Sequence, residues 1–413
     1  MVLKNNDLKH WLVLIVCCGL AASSIGICIN ASGVFYTPVA DGLGVLKGTF
    51  ALHMTIFSLT ASFVTLMIPN LIKKFKFKLL LFIGVMITVI STMLMAYVDS
   101  IEMFYLLGGL KGAGSALFSI VPITMIINQW FEDKHGLATS IALSFSGVAG
   151  AIFSPVLAYC ITVFGWQNTY LITGVITLLL CLPAMIYPFS FNPRDDGLLP
   201  YGAENNKTSN VINKEGPVKF NFIQLTFIGV FFLSIFLTAI TGITQHLPSF
   251  TESIGFNPSF GAMLVSAVMF GNISSKLIFG FISDYLGVIK STIIMILINI
   301  IAILIMLIVD SSTLLVFGSF LFGSVYGLGA VGVALITRYF FGVENYSKTY
   351  PIISFATGIG GAFSLSLIGY IYDFMGSYSY AFIIALIFQV INLIILFIIN
   401  VSKNKNKTTE AKL

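Results

Sequence analysis

The sequence predicts an all-α membrane protein with twelve transmembrane helices in two pseudo-symmetric six-helix bundles. Three observations carry that prediction. Of 413 residues, 57% are hydrophobic and only 9% are charged, where a soluble chain carries about 25% charged residues. The uncharged runs are about 20 residues long, which at 1.5 Å per residue matches the ~30 Å hydrocarbon core of a bilayer. The second half also repeats the first at a constant offset.

Hydropathy places the spans near 11–38, 50–72, 79–98, 103–128, 137–163, 169–190, 221–248, 259–283, 288–309, 313–339, 349–372 and 379–401. Met1 to His10 is polar, and the apolar run from Trp11 is too long for a signal-peptide core, so it is expected to remain as the first span. Basic residues crowd one side of this topology: Lys4, Lys9, Lys73, Lys74, Lys76, Lys78, Lys134, Arg194, Lys207, Lys214, Lys219, Lys290, Arg338, Lys348 and the four tail lysines. The other side has Lys47 among Asp41, Asp99, Glu102, Glu252, Asp310 and Asp373. That asymmetry predicts both termini in the cytoplasm of a multi-pass protein of the plasma membrane.

The longest polar interruption, 191–220, reads FNPRDDGLLPYGAENNKTSNVINKEGPVKF. Its Pro, Gly, Asn and mixed charges suit a flexible cytoplasmic linker. The expected organisation is therefore an N-terminal bundle (1–190), the linker (191–220), a C-terminal bundle (221–402) and a cytoplasmic tail (403–413). The NKT sequon at Asn206 carries no meaning on that side of the membrane. SGVAGA at 146–151 aligns with TGIGGA at 357–362, a shift of 211 that also pairs Tyr159 with Tyr370, Gly165 with Gly376, Gly112 with Gly323 and Pro69 with Gly280. A parallel six-span duplication is the plan of a transporter with a midplane site where its halves meet.

Several classes of function are disfavoured. The five cysteines (Cys17, Cys18, Cys28, Cys160, Cys181) lie in apolar runs without metal-ligand spacing, so packing is their expected role and neither zinc nor disulfides are expected. The net charge of +5 sits at membrane edges, which argues against a nucleic-acid partner. No GxxxxGK[ST] motif is present, so no nucleotide cofactor or ATP-driven pumping is expected. No nucleophile–base constellation points to an enzyme.

After the eighth span, GFISDYLGVIK sets Gly280, Asp284, Gly287 and Lys290 in a G-x3-D-x2-G-x2-K pattern. The glycines permit a tight turn, and the acid suits a helix N-terminus or a basic partner. This resembles the loop motif of the major facilitator superfamily, which recurs between spans 2 and 3. There the present chain has Pro69, Lys73 and Lys76 instead, in a run that also reads as a plain basic loop. GVFYTPVADGLGV (33–45), QWFEDKHGLATSIALSFSGVAG (129–150), FGW (164–166), DDGLLPYG (195–202) and NISSKLIFGFISD (272–284) resemble the monocarboxylate transporter and oxalate–formate antiporter branch. The resemblance covers nearly the whole chain and implies the major facilitator fold. It also implies that a cation in span 8, four residues before a glycine, binds the substrate carboxylate. Lys276 holds that position ahead of Gly280. Animal proton-coupled relatives place an aspartate where this chain has Asn272, and oxalate exchangers place a second cation in span 11, whose centre here reads SFATGIGGAFS.

Independently of family, Lys111 in GGLKGAGSALF and Lys276 are the two basic residues well inside the spans, one per half, and no Asp or Glu joins them. Each costs about 2.5 kcal/mol or more near a helix centre unless solvated or paired. Two such cations predict a wet cavity that receives an anion; the alternative is snorkelling of the long stems toward headgroups. Asn30, Gln245, His246 and Thr357 join the candidate substrate-binding set, with helix–helix hydrogen bonding as the alternative. His246 is the candidate for proton handling, with a surface histidine as the alternative.

The expected function is secondary transport of a small organic anion, a mono- or dicarboxylate, by alternating access. The coupling partner is a proton or a counter-anion, and the missing membrane acid tilts the expectation toward exchange. A non-transporting membrane sensor and an exporter of hydrophobic compounds are the alternatives.

Overall fold

In hydrocarbon every backbone N–H and C=O must be satisfied within the protein, so an apolar chain of this kind is forced into helices. The computed structural model describes residues 5–45, 47–203, 224–256, 258–308 and 311–410. The expected linker residues 204–220, with the Asn206 sequon and Lys207, Lys214 and Lys219, lie outside them, as do Asp310 and residues 411–413 of the tail. The chain divides into two compact units, Met1–Gly216 and Pro217–Leu413.

The first unit contains α1 (Asn5–Ala21), α2 (Tyr36–Leu43), α3 (Lys47–Lys74), α4 (Phe77–Leu94), α5 (Ile101–Ala116), α6 (Ile120–Trp130) and α7 (His135–Ile186). A π-helix, Ala22–Asn30, prolongs α1. The second unit contains α8 (Leu225–Ala239), α9 (Ile243–Ser253), α10 (Pro258–Leu286), α11 (Val288–Ile308), α12 (Ser312–Phe322), α13 (Ser324–Gly327), α14 (Val333–Met375) and α15 (Ser379–Glu410). A second π-helix, Leu328–Gly332, joins α13 to α14.

Ten segments among the described residues are long and apolar enough to cross a bilayer. One of them, Ser312–Ser364, has 53 residues; at 1.5 Å each it would run about 80 Å, enough for two crossings. Gly342 (φ 72°, ψ 173°) breaks it. The shorter apolar α8, followed by α9, occupies the place of the expected seventh span. Large apolar side chains face outward along the helices, among them Phe63, Ile186, Phe270 and Phe397, as a lipid-facing surface requires. Several buried hydroxyls bond within their own helix: Thr88 donates to the Gly84 carbonyl at 2.8 Å and Ser234 to that of Val230 at 2.7 Å.

The 211-residue offset reappears as repeated geometry. Gly165 and Gly376 both have positive φ, at 78° and 69°, between the last two spans of their units. Gly44 and Gly255 form another such pair, at 65° and 86°. The carbonyl of Ser146 accepts from Asn30 Nδ2 at 2.9 Å, and that of its repeat partner Thr357 accepts from Thr238 Oγ1 at 3.0 Å. The aligned SGVAGA and TGIGGA segments are thus where α7 meets the π-helix of the first span and α14 meets α8.

Three details add to the span pattern. The fourth span, Ile101–Trp130, is built from two helices: α5 stops at Ala116 and α6 starts at Ile120, because the Pro122 ring would collide with the carbonyl of Phe118 in an unbroken helix. Lys78 is more than a topogenic charge, since its ammonium donates to the carbonyls of Ala184 at 2.6 Å and Tyr187 at 2.5 Å, tying α4 to the end of α7. α15 continues to Glu410, and Lys403 donates to the Tyr339 carbonyl.

Residues 191–203, at the start of the expected linker, form a strap on the first unit. Asn192 caps a short 3-10 turn, Pro193–Asp196, by accepting from the Arg194 N–H at 3.0 Å. Asp196 accepts from the Ser190 amide (3.0 Å) and hydroxyl (2.6 Å) and pairs with Lys9 at 3.0 Å. Tyr201 bridges to Phe131: its N–H donates to the Trp130 carbonyl at 2.8 Å, and its own carbonyl accepts from Glu132 and Asp133. His10 bonds the Leu199 carbonyl at 2.9 Å and sets its ring edgewise to Trp130 and Tyr201.

In the second unit a chain of amides crosses the core. Gln389 Nε2 donates to Asn299 Oδ1 at 2.6 Å, Asn392 Nδ2 donates to Gln389 Oε1 at 3.3 Å, and Asn299 Nδ2 reaches the Phe322 carbonyl and Ser324 Oγ. It links α15, α11 and the α12–α13 junction.

Two predictions follow from this packing. A Cβ at Gly271 would lie 1.9 Å from the Phe320 carbonyl oxygen, whereas at Gly33 it would meet nothing within 4 Å. Gly271→Ala is therefore expected to lower the thermal midpoint in detergent, at a cost of about 1–3 kcal/mol, while Gly33→Ala leaves it nearly unchanged. For Asp196, burial alone would raise the carboxyl, but hydrogen bonds from Ser190 and Lys9 outweigh it and hold the acid below its ordinary value. A depressed carboxylate stabilises the strap above its unfolded pKa of about 3.9 and loses that contribution as pH falls through its lowered value. Hydrogen-exchange protection of the Ser190 amide should hold from neutral pH down to about 4 and then fall. Asp196→Asn should show weakened protection at neutral pH without that acid transition.

Candidate substrate site

The two lysines are seated by close helix approach. On α5, Gly108 and Gly112 form a small-x3-small face against α3. A Cβ at Gly108 would lie 2.7 Å from the His53 carbonyl oxygen, and one at Gly112 would lie 2.3 Å from that of Phe57. Only glycine admits such an approach. Lys111 follows Gly108 by three residues and is 5% exposed, with its Nζ 6.0 Å from the centroid of the Phe57 ring. Cys28 of the first π-helix packs with Met54 and Phe57, and the Lys111 charge acts electrostatically on both Cys28 and His53. Among the described residues no carboxylate lies within ion-pair distance of Lys111.

On α10, Gly271 and Gly323 meet backbone to backbone, and Ser275 Oγ donates to the carbonyls of Asn272 and Gly323, both at 3.0 Å. This docks α10 on α12 and α13 and buries Asn272 (1% exposed) and Lys276 (4% exposed), one helical turn apart. Asn272 Nδ2 has only a 3.9 Å contact to Met269 Sδ, and Asn272 Oδ1 accepts no hydrogen bond among the described residues. A buried amide oxygen of this kind is costly unless a donor arrives.

The remaining candidates are placed differently. The Asn30 amide holds the Ser146 carbonyl and so ties the first span to the fifth. The Thr357 hydroxyl donates to Ser354 on its own helix at 2.6 Å. His246 lies 5.8 Å from the Tyr378 ring in a small cavity with Ile243, Leu247 and Phe382, whose lining contains neither Lys276 nor Asn272. Gln245 lies on α9, and its side chain is outside the described set. In the loop motif, Gly280 and Asp284 end α10, while Gly287 takes φ 82° and makes a one-residue turn into α11. Asp284 and Lys290 are exposed. Sequence reasoning passed over His53, which is 4% exposed with Nδ1 2.5 Å from the Phe50 carbonyl oxygen. The available signal was a histidine on the span that faces the Gly108–Gly112 pair.

Two helical units, each burying one lysine among apolar spans, define a polytopic membrane protein of the solute-transporter kind. The Major Facilitator Superfamily profile matches residues 13–270 and 226–413, and the chain belongs to that superfamily; it is a transporter, not an enzyme. It is 24% identical over 408 residues to the uncharacterized MFS-type transporter YcxA of Bacillus subtilis, covering 92% of this chain and 93% of that one. Monocarboxylate transporter 12 of Xenopus laevis is 26% identical over 315 residues, 71% of this chain and 67% of the relative. Monocarboxylate transporter 13 of Bos taurus is 21% identical over 310 residues, 73% and 68% of the two chains. Among solved structures, a Major Facilitator Superfamily transporter, FucP, in the outward conformation superposes with a TM-score of 0.70 at 14% identity, over 96% of this chain and 99% of that one. That likeness is one of fold.

Proposed function

We propose that this transporter moves a small organic anion, a mono- or dicarboxylate, by alternating access in the plasma membrane, with both termini in the cytoplasm. The observation that carries the reading is the burial of Lys276 and Lys111, at 4% and 5% exposure, on helices made of apolar residues. An ammonium in such a place is stabilised by an anionic ligand more than by lipid. Lys276 is the carboxylate-binding group, and the neighbouring Asn272 oxygen accepts from a donor on the substrate or its water. Lys111 raises the positive potential of the first unit and takes a second anionic group. The distant relatives named monocarboxylate transporters support the same class of substrate.

Uptake of a labelled carboxylate panel into proteoliposomes tests this. Losing a charge-assisted hydrogen bond costs about 1.5–3 kcal/mol, so Lys276→Gln should weaken saturable uptake of the best anion at least about tenfold. Lys276→Arg should retain part of it. Transport by Lys276→Gln at the unaltered rate and affinity would remove the binding role, and accumulation of an organic cation instead would overturn the anion reading.

A further inference from the structure

We infer that the turn joining α3 to α4 binds the headgroup of an anionic phospholipid, whose phosphate is held by Lys73, Lys74 and Lys76. The site does not depend on which solute the protein transports. The turn lies between two segments able to cross a bilayer, Leu52–Lys74 and Phe77–Tyr97, so it stands at the headgroup level of the membrane. Two residues make it. The Phe75 N–H donates to the Leu71 carbonyl at 2.8 Å and closes α3, and the extended Lys76 (φ −62°, ψ 131°) opens α4.

Charge is unbalanced at this turn. Lys73, Lys74, Phe75 and Lys76 are all exposed, and between Asp41 and Asp99 the chain has no acidic residue. Among the described residues, none of the three lysines lies within ion-pair distance of a carboxylate. Lys78, the fourth cation of the run, is already held by the carbonyls of Ala184 and Tyr187. Asp196 of the strap, which acts on Lys78, is engaged by Lys9 and Ser190. Three ammonium groups are thus left within four residues, and like charges so close repel one another. The equivalent turn of the second unit differs, because Asp284 stands there at the place of Lys73.

The surface that leads to these lysines selects a lipid over a soluble anion. On α3 the exposed Phe63 and Met67 lie eleven and seven residues before Lys74, which puts all three on one helix face. On α4 the exposed Leu79 follows Lys76 by three residues. Each apolar face open to acyl chains therefore ends at a cation. Phe75, 40% exposed between the two helices, has the Lys74 Nζ 5.5 Å from its ring centroid. An aromatic ring beside an ammonium suits the boundary between headgroups and hydrocarbon. The ligand that meets both parts of this surface has an anionic head and an apolar tail, and a phosphate among the three lysines offsets their repulsion.

Full-length protein in detergent, titrated with dioleoyl phosphatidylglycerol or dioleoyl phosphatidylcholine, provides the test. Native mass spectrometry reads the affinity of the first lipid adduct, and a phosphatidylglycerol with a photoreactive headgroup marks the site by the peptide it labels. The wild type is expected to prefer phosphatidylglycerol, to carry the label within residues 63–83, and to lose the preference in high salt. A lysine beside an anionic headgroup contributes roughly fivefold, so Lys76→Gln should weaken the preference about fivefold. The triple variant Lys73→Gln/Lys74→Gln/Lys76→Gln should weaken it about a hundredfold. Lys76→Gln keeps the test decisive should the triple variant fail to insert. Lys134→Gln, which removes another exposed lysine of the same unit, should leave the preference unchanged. Equal affinity of the wild type for the two lipids, an undiminished preference in the glutamine variants, or label confined to other segments overturns the assignment. Displacement of the lipid by glycerol 3-phosphate at equal concentration makes the ligand a soluble anion and overturns the lipid reading as well. Each of these results leaves carboxylate uptake through Lys276 to be decided by its own measurement.

Discussion

The contact between α5 and α3 is the constraint on which the first unit depends. Gly108 and Gly112 bring the α5 backbone against the carbonyls of His53 and Phe57, closer than any side chain would allow. In lipid there is little hydrophobic force between helices, so close packing must supply what solvent exclusion supplies in water. The same approach carries Lys111 inward between these residues, beside an aromatic face and a thiol. Packing and charge placement are therefore one feature of the sequence. The second unit uses the equivalent contact, Gly271 against Gly323, to bury Asn272 and Lys276.

The duplication shows which parts of the plan are architectural and which are specific. Positive-φ glycines recur at 44 and 255 and at 165 and 376, where spans must reverse. The carbonyls of Ser146 and Thr357 are both held from the first span of their unit, though by different side chains, Asn30 in one and Thr238 in the other. Lys111 has no such echo: its repeat partner is Phe322, fully buried.

Much of the fold was legible because it rests on apolar run length, glycine spacing and the repeat. The span pattern and the turn glycine Gly287 follow from those signals alone. What escaped was whatever depends on contacts distant in sequence. DDGLLPYG carries turn residues and reads as flexible, yet Asp196 finds Lys9 and Ser190, and Tyr201 finds Phe131, none of which hydropathy registers. Lys78 sits in a basic run whose composition hides its two carbonyl acceptors. At the site, both lysines stood out because a charge in an apolar run is rare. His53 did not, because a histidine near a span end reads as a surface residue until the neighbouring helix is known to cover it. Asn30 was visible as a polar residue, but only the partner helix reveals that it holds the Ser146 carbonyl, while the Thr357 hydroxyl bonds within its own helix.

The buried amide chain of the second unit bears on how the protein is made. Asn299 and Gln389 lie 90 residues apart, and synthesis at roughly 5–20 residues per second separates their emergence by about 5–20 s. During that interval α11 is complete while its Oδ1 acceptor still awaits the donor on the final helix. The Nδ2 end can engage earlier, through the Phe322 carbonyl and Ser324. α15 thus arrives as the closing piece of its unit, guided to its place by an amide already turned to receive it. A ribosome that stopped before Gln389 would leave a half-paired polar group in the bilayer, a mark by which quality control could tell an unfinished chain from a complete one.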